Sequence, residues 1–467
     1  MCRFLAASLT VVAALPAFCG PTPGKNVIVM VGDGMGFSQV EAGSLYRFGE
    51  SRKQIYWGFD HYACTTYSDN NREGYNVDKA WEDFKYFLRV PTDSSAGATA
   101  ISTGYKCPNA RVGMDRHGQH LPHMLYDAEA LGKSTGVLST VRLTHATPAS
   151  FVTYDVGRGN ELDIAKKMLL QSPVDLIMAA GHPWYDNDGR QVGGLEPDRW
   201  ATAQKYDYVG GLETWQQLLE GKAGGDADGD GTPDPWKVVD SVEGIKSLAT
   251  APQQGRVFAL LPVDSTLQFN RSGDAMADAY AVPRTEGLPT MAEMAVAALG
   301  QLSQDPDGFF IMMEGGAIDW GGHGNKPGRM IEEQIDFDKA IEAVVEWVET
   351  HSSWDETMLF ITADHETGYV TGPGSDPEWQ PLVNNGKEKM PGLEYHTKSH
   401  TNQLVPLFAK GAGVEKLREY IHGTDKRRGD FVDNTDISKV VRAAWGVPIP
   451  VVPQPEEKAE SEETRAE

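Results

Sequence analysis

Short unbroken apolar runs, each ending on glycine or a polar residue, punctuate the chain. Val27-Ile28-Val29-Met30-Val31 leads into Gly32-Asp33-Gly34-Met35-Gly36, and Gly136-Val137-Leu138 into Ser139-Thr140. Phe309-Phe310-Ile311-Met312-Met313 precedes Glu314-Gly315-Gly316, and Met358-Leu359-Phe360-Ile361 precedes Thr362-Ala363-Asp364-His365. Val405-Pro406-Leu407-Phe408-Ala409 comes last. Such runs suit strands covered on both faces. Apolar spacing of about 3.6 predicts helices over 121–131, 161–170, 290–302 and 330–349. The alternation predicts an α/β fold with a central, mostly parallel sheet and helices on both faces. Residues 181–289 are rich in Gly, Asp and Pro and lose the periodicity. They read as an irregular insertion decorating one catalytic domain of residues 20–450, rather than as more sheet. Residues 451–467 read as a disordered acidic tail.

The first nineteen residues read as a signal peptide. Arg3 is followed by about a dozen mostly apolar residues, and no charge returns before Lys25. The expected location is the periplasm or the medium, with cleavage between Ala17 and Pro21. The apolar stretch is shorter than the ~20 residues of a membrane span, and no later segment resembles one. Removing it leaves Cys64 and Cys107, which in an oxidising compartment either bridge or persist as two buried thiols.

Composition changes the picture in one respect. Lys and Arg number 42 against 66 Asp and Glu, for a net charge of -24. That excludes a nucleic-acid-wrapping role, whose affinity comes from Lys and Arg on phosphates. It also predicts repulsion of anionic membranes and anionic substrates, unless some carboxylates are metal ligands.

The positions point to metal. Asp33, Glu314, Asp364 and His365 each follow an apolar run, and ligands of open α/β sheets bind beyond the carboxyl ends of strands. Carboxylates gathered there without a cation cost several kcal/mol each. Asp319 and His323 lie four apart just beyond Glu314, and His400 precedes the last run. This Asp, Glu and His mixture suits zinc together with a harder, oxygen-only magnesium site. Thr92-Asp93-Ser94-Ser95-Ala96-Gly97-Ala98-Thr99-Ala100 reads as a capped helix start. It puts a serine hydroxyl where the helix dipole and free N–H groups favour an oxyanion.

With these motifs in hand, the sequence resembles the alkaline phosphatases over about residues 25–447, in family order. The resemblance carries Asp33 in V-G-D-G-M-G, Ser94 in T-D-S-S-A-G-A-T-A and Thr147 in H-A-T-P-A. It also carries Glu314, Asp319 and His323 in E-G-x-x-I-D-x-x-x-H, Asp364 and His365 in T-A-D-H, and His400 in S-H-T. It implies that Ser94 is the nucleophile and Arg158 the phosphate-binding arginine. One zinc would be held by Asp319, His323 and His400, and a second by Asp33, Asp364 and His365. Magnesium would take Asp33, Thr147 and Glu314. Asp93 would orient Arg158. His145 and Trp320 stand where the best-known bacterial members carry aspartate and lysine, a pair similar to cold-active marine members. The implied reaction is hydrolysis of small phosphate monoesters at alkaline pH through a phosphoserine. Family members are commonly homodimers, which leaves the oligomeric state open.

Weaker signals remain. Asp226, Asp228, Asp230 and Asp234 start like a calcium loop, but Lys237 stands where the twelfth-position Glu belongs. His182, Trp184 and Tyr185 either line a substrate entrance or pack locally. Asn270-Arg271-Ser272 is a glycosylation sequon, discounted because the export signal looks bacterial. The competing functions are a phosphodiesterase, sulfatase or phosphonate hydrolase on the same scaffold, and a non-catalytic exported calcium-binding protein.

Overall fold

The structure is a computed structural model that describes residues 23–71, 73–194 and 206–452. The signal peptide and most of the acidic tail therefore lie outside the described residues.

The strands, in chain order, are β1 (Asn26–Gly32), β2 (Asp60–Thr65), β3 (Ser134–Arg142), β4 (Leu176–Ala180), β5 (Lys237–Val239), β6 (Val257–Leu260), β7 (Phe309–Gly315) and β8 (Thr357–Thr362). They continue as β9 (Glu366–Thr367), β10 (Val370–Thr371), β11 (Glu394–Tyr395), β12 (His400–Thr401), β13 (Val405–Lys410), β14 (Gly423–Asp425) and β15 (Gly429–Asp433). Eleven of them form one sheet in the order β14-β15-β2-β13-β8-β1-β7-β3-β4-β6-β5. From β8 to β5 every pairing is parallel, and β13 runs against both its neighbours.

Each predicted apolar run is a strand. β1, β7 and β8 are buried at every residue, as strands covered on both faces require. One helical layer packs together the helices Phe37–Phe48, Met291–Leu302 and Pro327–His351. The other contains Ser94–Thr103, Met124–Ala130, Ala146–Val152 and Thr435–Trp445. The helix predicted over 161–170 is present as Glu161–Leu170, and Met291–Leu302 is closed by a Thr290/Glu293 capping box. The helix expected from 121 starts only at Met124, because Pro122 biases Leu121 away from helical backbone and His123 is the extended N-cap.

Two expectations need correction or closure. The 181–289 stretch does contribute to the sheet. β6 pairs with β4, and β5 pairs with β6, completing the sheet's far edge. Val257-Phe258-Ala259-Leu260 is a wholly buried run too short to stand out among its Gly, Asp and Pro neighbours. Cys64 and Cys107 are separate buried free thiols rather than a bridge. Burial pushes Cys107 up to about 12.

Candidate metal centre

The parallel strands β8, β1, β7 and β3 are consecutive in the sheet, and their carboxyl ends carry the site. The register places Val31 beside both Glu314 and Thr362, and Glu314 beside Ser139. Asp33 therefore emerges one residue beyond β1 and Asp364 two residues beyond the adjacent β8. Gly34, at φ 74°, makes the turn after Asp33, and a Cβ there would lie 2.6 Å from Asp319 Cα.

Three clusters of ligand atoms result. In the first, His323 Nε2 lies 3.0 Å from His400 Nε2 and 3.4 Å from Asp319 Oδ1, while His400 Nε2 lies 3.5 Å from Asp319 Oδ1. In the second, His365 Nε2 lies 3.5 Å from Asp33 Oδ1 and 3.2 Å from Asp364 Oδ2. Ser94 Oγ is 3.1 Å from that same nitrogen. In the third, His145 Nδ1 lies 3.7 Å from Asp33 Oδ2 and 3.8 Å from Glu314 Oε1. Asp33 thus offers one oxygen to each of two clusters.

The donors fit divalent metals. Asp33 Oδ1 and Oδ2, Asp364 Oδ2, Glu314 Oε1, Thr147 Oγ1 and His145 Nδ1 are buried without a hydrogen-bond partner. Unpaired buried polar atoms are rare, and several at one place call for an ion. Ligands ~2.0–2.1 Å from a tetrahedral zinc are themselves ~3.3–3.4 Å apart, close to the spacings in the first two clusters. Burial raises Asp33 and Asp364 well above the usual carboxylate range, and their acidic neighbours add to the shift. Burial pulls His365 well below its ordinary value, followed by the effect of His400 and His323. Burial also lowers His400.

Outer contacts aim the ligands. His323 Nδ1 lies 2.6 Å from Lys398 O and His400 Nδ1 lies 2.9 Å from Thr92 O, so both rings turn Nε2 inward. The sequence reading missed two polar supports. Thr367 Oγ1 donates to Asp319 Oδ1 at 2.5 Å and lies 3.2 Å from His365 Nδ1. Ser139 Oγ donates to Glu314 Oε2. Both sit in or beside motifs already noticed, but only packing shows what they touch.

Ser94 is the first residue of its helix and is buried. Asp93 caps that helix, its Oδ1 accepting from Ala96 N at 3.0 Å. Gly97 lets the helix approach β8, since a Cβ there would lie 2.5 Å from Asp364 O. Asp93 Oδ2 accepts from Arg158 Nη1 at 3.1 Å. Trp320 and His145 have ring centroids 6.0 Å apart.

Two signals stand apart from this centre. Asp226, Asp228 and Asp230 bring carboxylate oxygens within 4.8 Å of one another on an exposed loop, while Asp234 Oδ2 accepts from Ala227 N at 2.9 Å. His182 is buried, with its ring 5.6 Å from that of Trp184, 4.6 Å from Tyr185 and 5.3 Å from Trp215. That arrangement is aromatic packing rather than an open entrance.

Fold and site define a class: α/β enzymes with clusters of candidate metal ligands beyond the carboxyl ends of a parallel sheet. The sequence model of the alkaline phosphatase family matches residues 24–192 and 232–405, more than half of the chain. The chain belongs to that family. It is 28% identical over 412 residues to alkaline phosphatase 3 of Bacillus subtilis, covering 85% of this chain and 71% of that protein. It is 27% identical over 470 residues to the alkaline phosphatase of Escherichia coli, covering 93% and 89%. The solved alkaline phosphatase of the Antarctic bacterium TAB5 superposes with a TM-score of 0.60 at 25% identity, covering 91% of this chain and 98% of that one. No helix among the described residues is long and apolar enough to cross a membrane.

Proposed function

We propose that this chain is an exported phosphomonoesterase that transfers the phosphoryl group of its substrate to Ser94 and then to water. The observation that carries the reading is the position of Ser94 Oγ, 3.1 Å from His365 Nε2 at a helix start, beside clusters that share Asp33. Asp319, His323 and His400 would hold one zinc, and Asp33, Asp364 and His365 a second. Asp33, Thr147 and Glu314 would hold magnesium, with His145 facing the same oxygens. Bound there, such ions lower the pKa of a hydroxyl or water and neutralise charge on the attacking and leaving oxygens.

The chain's own residues do the rest. Ser94 Oγ loses its proton and bonds to phosphorus as the ester oxygen departs with the alcohol. Arg158 grips two non-bridging oxygens through its planar fork, held in orientation by Asp93. The helix N-terminus adds its dipole to the charge on phosphorus-bound oxygen. Water then attacks phosphorus, the Ser94–phosphorus bond breaks, and Ser94 recovers a proton. The Asp226–Asp234 loop would hold calcium away from this chemistry.

Acid quenching with a labelled aryl phosphate tests the reading. The expected result is one phosphate on Ser94, absent from Ser94→Ala together with turnover. Full activity in Ser94→Ala overturns it. A kcat/KM higher for aryl diesters than for monoesters would move the chain to the diesterase alternative. A Tm that calcium does not change, after zinc and magnesium saturation, removes calcium.

A further inference from the structure

A second cluster of charge lies elsewhere in the molecule, with the opposite sign. The helix start at Phe37, β2, β13 and the β14–β15 hairpin enclose a cavity of about 200 Å³. Arg52, Arg427 and Arg428 line it together with Phe37, Trp57 and Phe408. None of these belongs to the metal centre. In a chain of net charge -24, three arginines at one cavity are an exception.

Nothing balances them fully. Among the described residues, none of the three has a carboxylate oxygen within 4.0 Å. The nearby Asp425 is committed elsewhere. Its Oδ2 accepts from Tyr75 Oη at 2.9 Å and Trp81 Nε1 at 2.7 Å, and its Oδ1 from the backbone N–H groups of Arg427 and Arg428. Burial lowers Arg428 to about 10, Asp425 only partly offsets this, and Arg427 and Arg52 add to the lowering.

The guanidinium groups are also oriented. Arg52 lies 4.7 Å from the Trp57 ring centre, Arg428 4.4 Å from that of Phe37, and Arg427 4.9 Å and 4.8 Å from those of Trp81 and Trp379. Rings occupy the faces of these planar cations, which leaves their N–H edges for an acceptor. Trp57 Nε1, from the same lining, is a buried donor with no acceptor. Three planar forks and an indole N–H suit the several acceptor oxygens of a small, multiply charged oxyanion.

We propose that this cavity is a second, non-catalytic binding site for an oxyanion of the phosphate class, held by Arg52, Arg427, Arg428 and the Trp57 indole. It needs no group of the metal centre, so it stands or falls separately from the phosphatase reading.

Equilibrium dialysis of the metal-loaded protein against labelled inorganic phosphate tests it. The parent binds two phosphates per chain at saturation. The double variant Arg52→Met/Arg428→Met binds one and hydrolyses aryl phosphate with kcat/KM within twofold of the parent. Arg52 is exposed, so Arg52→Met alone keeps the fold intact, and it weakens the second phosphate at least tenfold. One phosphate per chain in the parent, or a second phosphate retained undiminished in both variants, overturns the proposal. Absence of aryl phosphate hydrolysis in every form, with one phosphate still lost in the double variant, would overturn the phosphatase reading and leave this site standing.

Discussion

Asp93 joins two functions in one carboxylate. One oxygen caps the helix that begins with Ser94, and the other holds Arg158 at 3.1 Å. Asp93→Ala therefore costs about 1 kcal/mol of stability from the lost cap. It also frees the guanidinium, and KM for an aryl phosphate rises about tenfold, the scale of one charge-assisted hydrogen bond. Steady-state kinetics and a thermal melt on the same sample check both effects. A lowered Tm with an unchanged KM would mean that Asp93 serves the helix alone.

Thr147 gives a prediction of mixed sign. Its hydroxyl is buried without a partner, which costs stability unless a metal takes it. Thr147→Val keeps the shape and removes the hydroxyl. The metal-free protein should gain up to about 1 kcal/mol, while magnesium affinity falls at least about tenfold. Melts in chelator and a magnesium titration followed by calorimetry would reveal either half. Unchanged magnesium binding would take Thr147 out of the third cluster.

Gly97 tests how closely the helix that begins with Ser94 must sit. A methyl group there meets the Asp364 carbonyl oxygen at 2.5 Å, so backbone has to move. Gly97→Ala should cost about 1–3 kcal/mol of stability by overpacking. Displacing Ser94 from Asp364 and His365 should lower kcat more than tenfold, because a shift near 1 Å already costs about a hundredfold. Normal kcat in this variant would show that the helix tolerates retreat.

Glu129 sets a pH dependence remote from the metal centre. Burial raises it to about 8, with Asp175 second, and Thr135 Oγ1 donates to it at 2.5 Å. Between its ordinary value near 4.5 and about 8, the folded chain holds a proton that the unfolded chain has released. Stability therefore falls as pH rises through that window. Glu129→Gln removes the slope, and its Tm relative to the parent should be higher at pH 9 than at pH 5, by about 1 °C or more. Equal differences at the two pH values would contradict the assignment.

The sheet was readable where strands are built on continuous apolar runs of four or five residues, as β1, β7 and β8 are. β5 and β6 were missed because three or four residues do not establish a period, and only the neighbouring β4 makes them strands. The candidate ligands stood out in the sequence because each follows a strand or sits in a dense motif. Thr367 and Ser139 were not, since a hydroxyl gains its role from what packs opposite. His145 stood out in the sequence only as a departure from the best-known members, and packing alone shows that its Nδ1 faces the Asp33 and Glu314 carboxylates. The Arg52, Arg427 and Arg428 cavity left no trace in sequence, because its walls come from segments far apart in the chain.

The central position of β1 bears on the order of assembly. Asn26 and Thr357 are partners across β1 and β8, 331 positions apart, and its other neighbour is β7. This buried central strand is thus synthesised early and waits for most of the chain before either partner exists. Until then Val27–Val31 is an exposed apolar segment with both edges open, a hazard for association with other chains. Contacts of such sequence separation also slow folding. The clusters that Asp33 shares with His365 and Glu314 are complete only after this docking, so metal uptake at the proposed sites would report completion of the fold rather than initiate it.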